Sequence, residues 1–250
     1  MLYLLAGLLT FPVTAILTIA GVGAAFVLIP IFTALGVGIR ESMAVALLLN
    51  ALSMLFASYR YGRKKLILWK IALPFIVTSC AGAPLGALLS YRVDNELLKI
   101  CFVLFLLFAS GMIFFYKTRR NGEEKEPDVT AGRVLLSGGA GLVIGFISGL
   151  IGVGGGNIVL PILIALGIKP KEAVGTTALI VIFSSLSGFI SHFEAGHLDI
   201  LFIAVTAGAA ITGAVAGSWI MTDKLKPERI KRILGVILIA VAVKMILNLL

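Results

Sequence analysis

The sequence predicts an all-α polytopic membrane protein built from two related halves. Of its 250 residues, 60% are hydrophobic and only 13% are charged, and the mean hydropathy is +1.11. A soluble domain of this length needs more charge on its surface. Apolar stretches of membrane-spanning length recur along the whole chain. A glycine motif also occurs twice. Gly21-Val22-Gly23 with Pro30 returns 131 residues later as Gly152-Val153-Gly154-Gly155-Gly156-Asn157 with Pro161, and residues 21–58 and 152–189 match at twelve of thirty-eight positions without a gap.

Taken in order, the apolar segments lie near 2–20, 24–36, 42–59, 70–91, 98–116, 134–151, 157–167, 173–191, 200–221 and 230–250. Eight are long enough to cross. The second and seventh are not, because eleven residues of helix reach only about 16 Å against a hydrocarbon core of roughly 30 Å. These two are predicted as half-helices, or as one arm of a re-entrant pair. The expected organisation is a first repeat over 1–116, a cytoplasmic linker over 117–132 and a second repeat over 133–250. The N-terminus is apolar from Leu2 and lacks a basic stretch, so no cleaved signal peptide is expected.

The net charge of +9 reads as topology rather than as a nucleic-acid footprint, because the basic residues cluster in short loops. The run Arg60-Tyr61-Gly62-Arg63-Lys64-Lys65 is strongly basic and is expected inside. Its counterpart, the predicted loop His192 to Asp199, contains no Lys or Arg and is expected outside. Loop 92–99 is nearly balanced, whereas its counterpart 224–232 carries Lys224, Lys226, Arg229, Lys231 and Arg232. Related halves with opposite charge bias predict inverted-topology repeats, with both termini outside a plasma (inner) membrane.

A glycine break at membrane depth leaves backbone N–H and C=O groups that cost several kcal/mol each unless they are satisfied. It therefore survives only where it is buried in protein or lines a cavity. After the second break a short helix begins, and its first amides and dipole aim positive potential at the break. Gly154, Gly155 and Gly156 allow close approach of a ligand oxygen, and Asn157 is a residue type suited to the N-cap. Gly21 and Gly23 occupy the matching break.

The following helix in each half carries polar groups. Thr177, Ser184 and Ser191 repeat at seven-residue spacing on one face, and Thr176 precedes them. Asn50 and Ser53 share a face in the first half, with Ser53 aligned to Ser184. The candidate substrate-binding set is thus Gly21, Gly23, Asn50, Ser53, Gly154, Gly155, Gly156, Asn157, Thr176, Thr177 and Ser184. Interhelical hydrogen bonding is the alternative role for the hydroxyls, and packing is favoured for Ser185 and Ser187.

Other features read as structural. Gly82-x-x-x-Gly86 and Gly213-x-x-x-Gly217 share the offset of 131 and permit close helix approach. Cys80 and Cys101 are expected to pack in apolar segments without a disulfide. His192 and His197 are expected in a loop without a metal motif, and Lys244 at the membrane interface. No Asp or Glu falls in the middle of a predicted span. This argues against a metal-cation transporter and against a buried carboxylate as proton carrier.

The glycine-rich segment with its proline in each half, followed in the second by Gly175-Thr176-Thr177-Ala178-Leu179, resembles the TauE/SafE (sulfite exporter) family over essentially the whole chain. The first copy departs from the pattern, with Ala24 and Ala25 where the second has Gly155 and Gly156. The resemblance implies transport of sulfur-containing or organic anions such as sulfite, sulfonates or sulfoacetate. The expected protein is a secondary transporter working by alternating access in the lipid bilayer, with a small anionic substrate and H⁺ or Na⁺ open as a coupling ion. No cofactor, metal, nucleic acid or catalytic activity is expected. A passive anion channel is the alternative.

Overall fold

The computed structural model describes residues 2–94, 131–165, 168–192 and 199–224, together with 96, 97, 100, 101, 103 and 104. Eight helices are defined among them: α1 (Leu2–Ile19), α2 (Ala25–Ala34), α3 (Ile39–Arg63), α4 (Trp69–Ser90), α5 (Ala131–Ile151), α6 (Gly156–Ala165), α7 (Pro170–His192) and α8 (Ile200–Asp223). No strand occurs among the described residues. Of these helices, α1, α3, α4, α7 and α8 are long and apolar enough to cross a membrane. Most of the expected span 98–116, all of 230–250, residues 117–130 of the expected linker, residues 193–198, most of the basic stretch 224–232 and Lys244 lie outside the described residues, and the last two linker positions begin α5.

The two short segments are short helices, as expected. Each of α2 and α6 has 10 residues, about 15 Å of helix. The far end of α2 lies beside the start of α1. Tyr3, at the start of α1, and Phe32, near the end of α2, both stack on Phe202, with ring centroids 6.1 and 5.1 Å away. The chain therefore returns to the end from which it set out.

Two loop assignments need correction. α3 runs on through Arg60 and Arg63, so the front of the basic run is its last turn rather than a loop. There the two arginines oppose the negative end of the helix dipole. His192 is likewise no loop residue. It closes α7, is fully buried, and places Nε2 2.8 Å from the carbonyl oxygen of Gly149.

Small residues decide which helices touch. A side chain on Gly82 would meet the backbone of Leu142 and Phe146, and one on Gly86 that of Phe146 and Leu150. The contacts rise together along α4 and α5, so this pair is parallel. The same holds for α1 and α8, where Gly213 faces Phe11 and Ala15, and Gly217 faces Ala15. Each residue of the second pair stands 131 positions from its counterpart in the first, with the halves exchanged. Another exchanged pair is Gly21 against Val174 and Gly152 against Met43.

Gly213→Leu is expected to force α8 from α1. Its Cβ would stand 2.5 Å from the Phe11 carbonyl oxygen and 3.2 Å from the Ala15 nitrogen. Both are backbone atoms that cannot swing aside. The expected cost is about 1–3 kcal/mol or more, seen as loss of monodisperse protein in detergent gel filtration. Wild-type recovery would show that the contact is dispensable.

α3 and α7 form the buried centre. Leu47 packs on Gly188 while Asn50 bonds Ser185. Residue numbers fall on one helix as they rise on the other, so the pair is antiparallel.

At the start of α8, Asp199 caps the helix by accepting from the amides of Leu201 and Phe202 at 2.9 and 3.1 Å. Tyr3 donates its hydroxyl to the same carboxylate at 2.6 Å. That bond, with help from the capped amides, holds the Asp199 carboxyl below the usual carboxylate range. A depressed native pKa means stability that is fully present above the unfolded value, near pH 4. It is lost as pH falls through the native value. Melting temperature is expected to be flat above about pH 5 and to fall below about pH 4. Asp199→Asn should shrink the acid-side slope, and an unchanged slope would show that Asp199 does not contribute.

Candidate functional site

The two glycine breaks meet at Asn50, near the middle of α3. Oδ1 of Asn50 accepts from the Ala24 amide at 2.8 Å, and Nδ2 donates to Oγ of Ser185 at 2.9 Å. Asn50 and Ser185 are both fully buried. The bonds therefore tie the N-cap of α2, the centre of α3 and the centre of α7 into one knot.

Glycine is required on both sides of it. Gly23 and Gly154 each take φ +78, where L side chains are strained. A Cβ on Gly23 would overlap the Asn50 carboxamide, and one on Gly154 would stand 2.5 Å from Asn50 Nδ2. A Cβ on Gly156 would collide with the carbonyl of Val22, so the two breaks are in backbone contact. Oγ of Ser184 donates to the Gly154 carbonyl at 2.8 Å.

The halves are not equivalent here. Val181 stands at the position matching Asn50, and Met54 at that matching Ser185. One polar bridge thus has an apolar counterpart. At the first break, Ala24 has φ −101 and its amide is occupied by Asn50. At the second, the matching residue Gly155 has φ +74, and Val181 offers no oxygen to its amide.

Unpartnered polar groups gather at that second break. Gly155 accepts the first helical bonds of α6, from the amides of Ile158 and Val159 at 3.1 Å. Gly155 is therefore the N-cap. Asn157 was expected there and instead sits inside the first turn, because glycine reaches the left-handed conformation that the break demands. The Asn157 carboxamide is buried with neither its oxygen nor its nitrogen bonded. Oγ of Ser148, on the last turn of α5, is also buried and unbonded, 3.6 Å from where a Cβ on Gly155 would lie. A buried polar atom left without a partner costs about 1–3 kcal/mol.

Of the other candidates, Ser53 and Thr177 are buried with unbonded hydroxyls. Gly21, at φ +69, packs against Val174. Thr176 is engaged elsewhere, accepting from the Leu68 amide at 3.0 Å ahead of α4. Sequence reasoning passed over Ser148, whereas Ser185 takes an interhelical role, bonded by Asn50. The only trace of Ser148 in the sequence is its position one turn before Gly152. Ser187 does pack, donating to the Cys80 carbonyl at 3.0 Å. Cys80 and Cys101 are free thiols, and no His, Cys, Asp and Glu group that would hold a metal occurs among the described residues.

Known proteins resemble this chain along most of its length. The family model described as "Sulfite exporter TauE/SafE" matches residues 3–245. The chain is 24% identical to the "Probable membrane transporter protein YunE" of Bacillus subtilis over 222 residues, covering 83% of this chain and 81% of the relative. It is 25% identical over 234 residues to a "Probable membrane transporter protein" of Methanocaldococcus jannaschii, covering 87% and 85%. A "Sulfite exporter TauE/SafE family protein 1" of Arabidopsis thaliana is 28% identical over 116 residues, covering 45% of this chain and 26% of that protein. No solved structure matches. With its glycine-broken helices, paired halves and a match spanning nearly its whole length, the chain belongs to the sulfite exporter TauE/SafE family of membrane transporters.

Proposed function

We propose that this protein is a secondary transporter of a small sulfur-containing oxyanion, sulfite or a sulfonate, working by alternating access between two inverted halves. The observation that carries the site is the second glycine break. There Gly155 and the first-turn amides of α6 stand beside the unbonded side chains of Ser148 and Asn157.

A helix start leaves its first four amides without intrahelical acceptors and puts roughly half a positive charge at that end. A left-handed residue followed by a helical one turns successive amides toward a common concavity. Oγ of Ser148 and Nδ2 of Asn157 add neutral donors, and Thr177 is a further candidate. In this reading Asn50 and Ser185 brace the two breaks, with Gly21, Gly23, Ser53 and Ser184 in the surrounding frame. An anion would satisfy several of the groups that are otherwise orphaned.

The inverted arrangement is supported by the antiparallel contact of α3 with α7. These helices occupy matching places in the two halves, so the operation relating them reverses direction along the helix axis. The exchanged glycine contacts of α4 with α5 and α1 with α8 point the same way. The sulfur assignment is supported by the family description.

Thermal-shift binding on the purified protein tests the reading, with sulfite, sulfate, thiosulfate, taurine, sulfoacetate, nitrate and simple carboxylates. A ligand that binds only the native state raises apparent stability by mass action, by about 2.7 kcal/mol at a hundred times Kd. Stabilisation by sulfite or a sulfonate is expected. No shift with any sulfur anion would remove the substrate assignment. Single-channel currents far above carrier turnover would replace the carrier with a channel.

A further inference from the structure

At opposite ends of the central helix pair lie two side-chain clusters that match under the same exchange of halves. At one end Arg60, on the last turn of α3, donates through Nε to Oγ1 of Thr222 on α8 at 3.0 Å. Its Nη2 lies 2.8 Å from Asp223, Lys64 lies 3.5 Å from the same carboxylate, and Lys171 reaches the Thr222 carbonyl at 3.4 Å. At the other end the hydroxyl of Tyr91, just after α4, donates to the carbonyl of Ser191 on α7 at 2.9 Å. Arg40 donates to the Val93 carbonyl at 3.1 Å and lies 5.9 Å from the Tyr91 ring centroid.

The correspondence is residue by residue. Arg60 matches Ser191, Thr222 matches Tyr91 and Lys171 matches Arg40, each 131 positions apart. Both clusters join the end of a central helix to the end of a helix from the opposite half. Both are closed at once, with the Asn50 knot buried between them. The chemistry differs at one place. Asp223 matches Arg92, so the described ion pairs lie at the Arg60 end, while the described contacts at the Tyr91 end are hydrogen bonds to carbonyls and ring contacts of Tyr91 with Arg40 and His192.

We infer that these clusters are the two gates of the transport cycle, an ion-paired gate at Arg60–Thr222–Asp223 and an uncharged-acceptor gate at Tyr91–Ser191. The inference rests on the alternating-access reading above and adds its moving parts. Because the two gates close the same site from opposite sides, weakening one shifts population toward opening there and away from opening at the other. Salt weakens a partly exposed ion pair far more than a hydrogen bond to a carbonyl. Ionic strength should therefore bias the protein toward opening at the Arg60 end.

The test uses full-length protein in detergent with Cys80→Ala and Cys101→Ala. Single reporters are Ala57→Cys, three residues before Arg60, or Gly188→Cys, its counterpart three residues before Ser191. Both positions are buried, and a Cβ on Gly188 would meet only the flexible end of Leu47, at 3.2 Å. The rate of labelling by a water-soluble maleimide is measured. Asp223→Asn should raise the Ala57→Cys rate on the order of five-fold, what a partly exposed pair can supply, and lower the Gly188→Cys rate. Tyr91→Phe should do the reverse. Added salt should reproduce the Asp223→Asn pattern in the protein that keeps Asp223, without any mutation at the gate.

A rise at Ala57→Cys with no fall at Gly188→Cys would mean local fraying and overturn the gate pair. So would rates that neither variant nor salt changes. The assay needs no substrate. Reciprocal labelling without anion binding would leave the gates standing and remove the proposed site, while binding without reciprocity would do the opposite.

Discussion

Gly155→Leu is expected to abolish anion binding and transport while the protein still inserts and is produced at wild-type levels. Two effects combine. Gly155 sits at φ +74, where a Cβ costs about 1–2 kcal/mol. That Cβ would also lie 3.0 Å from Ile144 Cγ2 and 3.5 Å from Ser148 Cβ, so the remaining leucine carbons must enter the space beside Ser148 Oγ and the α6 amides. Charge-assisted hydrogen bonds contribute about 1.5–3 kcal/mol each. Losing two of them weakens affinity by roughly a hundredfold or more. The check is the thermal shift given by whichever anion stabilises the wild type, with gel filtration as the folding control. Undiminished stabilisation of the variant would place the anion elsewhere.

Asn50→Leu should cost the most stability of any single change at the centre. The side-chain volume is nearly conserved, but two hydrogen bonds disappear. The amide of Ala24 and the hydroxyl of Ser185 are then left buried, each without its Asn50 partner. With about 1–3 kcal/mol for each orphaned group, the expected loss is roughly 2–5 kcal/mol, or on the order of 5–15 °C in melting temperature. Anion affinity per folded molecule should change less than in Gly155→Leu, because the Asn50 carboxamide is already bonded at both ends, to Ala24 and Ser185. A melting temperature within a degree or two of wild type would mean that water or a shifted neighbour replaces the carboxamide.

These two expectations separate what composition could reveal from what it could not. The membrane class, the short segments and the two halves were legible because each is a one-dimensional signal. Hydropathy marks burial in lipid whatever the neighbours are. A broken helix needs glycine at fixed positions, so Gly21, Gly23, Gly154, Gly155 and Gly156 announce themselves. The proteins to which the chain is similar were recognisable from the same residues. Helix ends were less legible. Arg60 reads as a loop residue by charge, yet it lies in the last turn of α3, where its guanidinium finds Thr222 and Asp223 on α8, about 160 positions away in sequence.

The pairing of polar side chains belonged to the tertiary structure alone. A serine one turn before a glycine break carries no periodic mark, so Ser148 was invisible until α5 brought it beside Gly155. Ser185 and Ser184 are adjacent on α7, yet only the antiparallel crossing with α3 gives Ser185 the Asn50 carboxamide and Ser184 the Gly154 carbonyl. Sequence determined that this chain is a membrane-embedded pair of related halves with a glycine break in each. Which break is filled by Asn50 and which is left with unpartnered donors was decided by tertiary contact, because a hydrogen bond depends on ångström distances between helices and leaves no period along the chain.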